Sequence, residues 1–129
     1  MPITTIFGQG TVLAVGSGAT FVPLTGYAPI GDVLNVRVVM EIQAITSANC
    51  SLTPAYQFCN SADAPSFTGT NCGTAQTTNT IFFPTAWTTV TPAVSGAGQL
   101  IRFGVNVSQS TGSPGQGAWV SIRAQLQTQ

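Results

Sequence analysis

The chain has 129 residues, enough for one domain with its own core, and 5 % of them are charged, against a usual share of about 25 %. Arg37, Arg102 and Arg123 balance Asp32, Glu41 and Asp63, and there is no lysine or histidine. This excludes a basic patch for nucleic acid, whose binding draws on clustered cations, and leaves no imidazole or amine for acid–base or covalent catalysis.

Thr, Val, Ile and Phe are frequent, and 14 Gly and 8 Pro punctuate at short intervals. That pattern predicts an all-β, single-domain antiparallel β-sandwich, jelly-roll-like or immunoglobulin-like. Residues 1–19 read as an extended N-terminal arm or a first edge strand, with Ile3, Ile6 and Phe7 as contacts for a neighbouring chain. The same segment lacks the basic stretch of a secretory leader, and no apolar run reaches the ~18 residues of a membrane span. The expectation is synthesis in the cytoplasm and no membrane partner.

Residues 20–129 form the sandwich proper. Thr20 to Leu24 reads as a short strand, followed by a turn through Gly26, Pro29 and Gly31. The clearest strand is Val33 to Ile45, with period two over thirteen residues. Leu34, Val36, Val38, Met40, Ile42 and Ala44 share one face; Asn35, Arg37, Val39, Glu41 and Gln43 share the other. Arg37 and Glu41 lie about 13 Å apart along the strand, so each needs a partner on a neighbour. Leu52 to Cys59 is the expected partner strand, where Pro54 marks an edge or a bulge.

Residues 60–80 read as one long polar loop. Cys50, Cys59 and Cys72 have no zinc spacing and no histidine to complete a site. They are three small, partly buried thiols, or one disulfide joins Cys59 to Cys72 in an oxidising medium. Short strands flank Pro84, and Phe82, Phe83 and Trp87 there suit apolar contact or ordinary core. Ala93 to Gly98 is a turn.

Leu100 to Gln127 reads as a closing hairpin around a Gly/Ser/Pro turn. Ile101, Phe103, Val105 and Val107 face inward in its first arm. Ala118, Val120, Ile122, Ala124 and Leu126 do so in its second, which leaves Trp119, Ser121, Arg123, Gln125 and Gln127 outside. If these strands are neighbours, Arg37, Glu41, Arg102 and Arg123 stand together on one outer face. They serve there as solvated residues or as contacts with another chain, where arginine's planar fork grips carbonyls and carboxylates.

The segments RVVMEIQAI (37–45), PAYQFCNSAD (54–63), AWTTV (86–90), IRFGVNVS (101–108) and GAWVSIRAQL (117–126) follow one another in an order that resembles small structural proteins of tailed bacteriophages, of the decoration or auxiliary head type. Gln57 and Asp63 match residues of that pattern; Cys59 and Cys72 depart from it. The resemblance spans roughly 31–127. It implies a non-enzymatic β-sandwich on the outer surface of a virion, bound to the major capsid protein, often as a homotrimer.

Low charge points the same way without any family, because nothing repels a second copy. A homo-oligomer is expected, a trimer in particular, with no cofactor and no metal. The alternative is a carbohydrate-binding or receptor-binding module. In it Trp119 and Trp87, with Tyr27 and Tyr56, stack on sugar rings, and Asn60, Asp63, Asn71 and Gln76 supply hydrogen bonds. A Thr-rich ice-binding surface fails for lack of a regular repeat.

Overall fold

The computed structural model describes residues 3–14, 18–29, 33–59, 69–90, 100–110 and 115–128. Among them run β1 (Ile3–Leu13), β2 (Thr20–Pro23), β3 (Ala28–Pro29), β4 (Val33–Ile45), β5 (Cys50–Cys59), β6 (Thr70–Asn71), β7 (Ile81–Phe82), β8 (Thr88–Thr89), β9 (Leu100–Gln109) and β10 (Gly117–Thr128). They make two antiparallel sheets packed face to face, a β-sandwich. The first sheet has the order β1-β10-β4, with β7 and β8 paired to β4 beyond it. The second has the order β2-β9-β5-β6, with β3 also on β9.

Period-two alternation builds the interior. Val36, Val38, Met40 and Ile42 of β4 and Val120, Ile122, Ala124 and Leu126 of β10 meet Ile101, Phe103, Val105 and Val107 of β9, and all are buried. Each of these side chains larger than Ala124 contributes roughly 1.5–3 kcal/mol by leaving water. Tyr56 belongs to this core, so it is not a surface residue able to stack on a ligand. Ala44 departs from the expected alternation. The register between β10 and β4 shifts between Trp119 and Val120, so Gln43 is the extra residue of a bulge and Ala44 is turned outward, exposed.

Residues 3–13 form an edge strand and not an arm: all eleven residues of β1 pair with β10 without a register shift. The expected closing hairpin does not exist. β9 and β10 lie in different sheets, and the chain between them crosses from one sheet to the other. β4 and β5 are likewise split, so β5 pairs with β9 and not with β4. The two crossings are tied together at one end of the sandwich. Thr46 N–H donates to the Gly117 carbonyl (3.0 Å) and Ser110 N–H to the Asn49 carbonyl (3.0 Å). The hydroxyls of Thr46 and Ser47 both donate to Gln116 Oε1 (2.7 Å each). Backbone groups that a hairpin would have used on itself are spent on the other crossing.

Pro54 sits in an unshifted ladder with β9, without a bulge. Cys72 N–H donates to the Pro54 carbonyl (2.8 Å), and Leu52 exchanges bonds with Gln76 (2.9 and 2.8 Å). Alternation therefore turns the missing N–H of Pro54 toward this short outer segment, where a lost ladder bond matters least. The expected long loop is thus structured from Thr70 onward; residues 60–68 lie outside the described residues, as do Asp32, the 93–98 turn and residues 111–114.

The same register corrects the disulfide expectation. Cys72 has a free, buried thiol, as does Cys50. Cys72 lies opposite Pro54 while the Cys59 backbone is five residues further along β5, a separation of about 17 Å. A bridge needs Cα atoms within ~7 Å.

Burial pushes the Cys72 thiol up to about 12 from its ordinary value of 9.0. Desolvation raises Cys50 and Tyr56 as well. The unfolded chain ionises first as pH rises, so alkali favours unfolding. Stability is expected to hold up to about pH 9 and to fall between pH 9 and 12. Urea midpoints measured across that window, with Cys72→Ala showing a shallower fall than the wild type, check this. An equal slope in the two proteins contradicts it.

Candidate interaction site

Directly opposed residues of neighbouring strands share a face. The register therefore sets Phe7 of β1 beside Arg123 of β10 and Val39 of β4, and Gln9 beside Ser121, Glu41 and Ile81. All of these point away from the core on the first sheet. Ile3 and Leu13 follow Phe7 along β1 by parity, and Trp119 follows Arg123 along β10.

The exposed large apolar side chains of the described residues are Ile3, Phe7, Leu13, Ile81, Phe83 and Trp119. All six belong to this one face. Phe7 is 71 % exposed, Phe83 61 % and Leu13 61 %, values far above those of incidental surface contacts. Clusters of this kind, rimmed by polar groups, mark interaction sites.

The polar side chains on the face bond mostly to one another. Arg37 Nε donates to Gln125 Oε1 (2.9 Å) and its guanidinium carbon lies 4.3 Å from the Trp87 ring centroid. Asn35 Nδ2 donates to Gln127 Oε1 (2.9 Å), and Gln43 Nε2 to Ser121 Oγ (3.2 Å). The Arg123 guanidinium lies 5.7 Å from the Phe83 ring. Such cation–π contacts are worth about 0.5–1 kcal/mol near the surface. They also place flat, weakly hydrated groups on the face in place of solvated charges.

Three shallow clefts indent it. One of about 370 Å³ is lined by Phe7, Gln9, Val39, Glu41, Ser121 and Arg123, with Gly8 and Ile122. A second, about 200 Å³, lies between Arg37, Val39, Phe83, Pro84, Arg123 and Gln125. The third, about 300 Å³, runs along Trp119 between Thr11, Leu13, Ala44 and Thr46. Val39 lines both of the first two, which explains why an outward valine is only 5 % exposed. Among the described residues no ion pair joins Glu41 to an arginine.

Arg37, Glu41 and Arg123 thus stand on one outer face, as expected if their strands are neighbours, and Ile3 and Phe7 of β1 and Phe83 after β7 share that face with them. Three other candidate contact residues lie elsewhere. Ile6 points inward and packs on the core, and so does Phe82, whose partner on β4 is the buried Met40. Arg102 is on the second sheet, because its strand crosses over. There its guanidinium lies 4.6 Å from the Tyr27 ring and 5.7 Å from Phe21, while Nε donates to Gln57 Oε1 (2.7 Å). That arginine holds the cover of its own sheet.

Leu13 and Ile81 also belong to the face. The parity that Leu13 shares with Phe7 is visible in the sequence, whereas only the pairing with Glu41 places Ile81.

The sugar-binding set is scattered. Trp87 is covered by Arg37. Trp119 is on the first sheet, whereas Asn71 and Gln76 lie along β5 on the second, with Asn71 Oδ1 accepting from Asn106 Nδ2 (2.6 Å). Asn60 and Asp63 lie outside the described residues.

No protein-family model matches the chain, and no curated protein and no solved structure matches it either.

Proposed function

We propose that the chain is a structural subunit of a viral particle: a decoration or cement protein that docks on an assembled bacteriophage head through the outer face of its first sheet. One observation carries this reading. A chain with three cations and three anions keeps all its exposed large apolar side chains, among the described residues, on that single face. Such a surface is suited to permanent contact, and poorly suited to a free monomer.

The mechanism is mechanical. A rigid sandwich laid across a seam between capsid subunits buries area on both. One interface of ~800 Å² per partner is modest, but the same contact repeated over a shell gives avidity without further chemistry. Because the face is nearly neutral, its grip depends on apolar burial and is little screened by salt.

Mass spectrometry of intact, gradient-purified particles is the test. The chain is expected in fixed ratio to the major capsid protein and to remain after a high-salt wash. Its absence from the particles overturns the proposal. The carbohydrate-binding alternative has less behind it, since the cleft at Trp119 offers Thr11 and Thr46 but no amide or carboxylate side chain.

A further inference from the structure

We infer that β1 is a pairing edge for a second copy of this chain, and that two copies join β1 to β1 about a two-fold axis at Gly8. This inference does not depend on the particle assignment. It rests on the backbone of the edge and on the self-complementarity of its sequence.

Ala14 N–H donates to the Gln116 carbonyl, in register with the β1–β10 ladder. Alternation along an antiparallel pair then turns the even-numbered residues of β1 toward β10 and the odd-numbered ones away from it. The outward N–H and C=O groups are those of Ile3, Thr5, Phe7, Gln9, Thr11 and Leu13. No hydrogen bond from any described residue reaches them.

Long edges of this kind template another strand unless the protein blunts them with lysine, proline, a bulge or brevity. β1 has none of these devices. It is eleven residues long, uncharged, free of proline and unbulged.

The partner is a second copy because the strand fits itself. Laid antiparallel on its own image with all eleven residues overlapping, Gly8 meets Gly8 at the axis. Ile3 then faces Leu13, Thr5 faces Thr11 and Phe7 faces Gln9. Every pair keeps its side chains on one face, so the outer surfaces of the two first sheets become continuous. Ile3 and Leu13 set apolar against apolar, Thr5 and Thr11 set hydroxyl against hydroxyl, the Phe7 ring lies beside the uncharged Gln9 amide, and no like charges are opposed. An isologous contact of this type closes on itself, so it yields a dimer and not a fibre. A two-fold pair, and not a trimer, is then the unit from which any larger assembly is built.

Gln9→Pro tests the edge without breaking the ladder, because the N–H it removes faces away from β10. The wild type is expected to sediment at twice the monomer mass, or at a multiple of that. The variant is expected at half the wild-type mass with an unchanged far-ultraviolet spectrum. The register is tested separately by Thr5→Cys/Thr11→Cys, which sets cysteines opposite each other across the axis at about 5.5 Å between Cα atoms. Mild oxidation should convert this double variant to a covalent dimer, while each single variant stays uncrosslinked. Wild-type mass retained by Gln9→Pro, or crosslinking no greater in the double variant than in the singles, overturns the inference. So does a monomeric wild type.

Discussion

Truncating Phe103 to alanine is expected to lower the free energy of unfolding by about 3–5 kcal/mol, read from the urea midpoint at unchanged slope. Among the described residues Phe103 is the largest of the fully buried side chains, and it sits near the middle of β9. Its cross-strand partner is the buried Tyr56. Its backbone is equally committed: the carbonyl accepts from Leu24 N–H (2.9 Å) and Thr25 N–H (3.1 Å), and its N–H donates to Thr25 Oγ1 (3.0 Å). Alanine keeps those bonds and empties the ring's volume, so the cost is the transfer term plus the cavity. A domain of this size has only ~5–15 kcal/mol in hand, so the variant is expected to populate unfolded chain measurably. A loss under ~1 kcal/mol would mean that the two sheets do not pack as described.

Gly104→Ala is expected to destabilise by about 3 kcal/mol, at the upper end of the range for overpacking. A β carbon there would overlap the Val22 carbonyl oxygen and lie 2.8 Å from Pro23 Cα and 2.9 Å from the Val22 carbonyl carbon. All three are backbone atoms, so no side chain can swing aside. Relief requires β2 to lift from β9, which breaks the pairing of Val22 with Val105 and of Pro23 with Gly104. Gly26→Ala is the control. A β carbon at Gly26 meets nothing within 4 Å, and the substitution is expected to stay within about 0.5 kcal/mol of the wild type. Equal thermal shifts in the two variants would contradict the close approach of β2 to β9.

The faces of the strands were legible in the sequence; their neighbours were not. Val36, Val38, Met40 and Ile42 alternate cleanly, and that alternation alone placed Arg37 and Glu41 outside. Period two says which way a side chain points relative to its own strand and nothing about which strand lies alongside. The segment after Gln109 has the Gly, Ser and Pro of a hairpin turn. Yet Gln116 and Gly117 are bonded to Thr46 and Ser47, partners some seventy residues away along the chain. Alternation alone therefore cannot tell that Arg102 stands on the other sheet from Arg37 and Arg123.

The extra residue at Gln43 was equally hidden. A bulge is visible only as a mismatch with β10, and β4 alone shows no interruption of its pattern. For the site, composition pointed to an uncharged interaction surface, and parity supplied Ile3, Phe7 and Arg123. The sequence offers Phe83, like Phe82 and Trp87, as a candidate for apolar contact or ordinary core, with no way to choose between them. Only the tertiary pairing shows that it stands under Arg123.

Central to this account is that the outer face of the first sheet and its β1 edge are covered by other protein. Sedimentation velocity of the full chain over a wide concentration range tests this most directly. A discrete species is expected at twice 13.2 kDa, or at a multiple of that, insensitive to added salt. A single 13.2 kDa species at every concentration would contradict it.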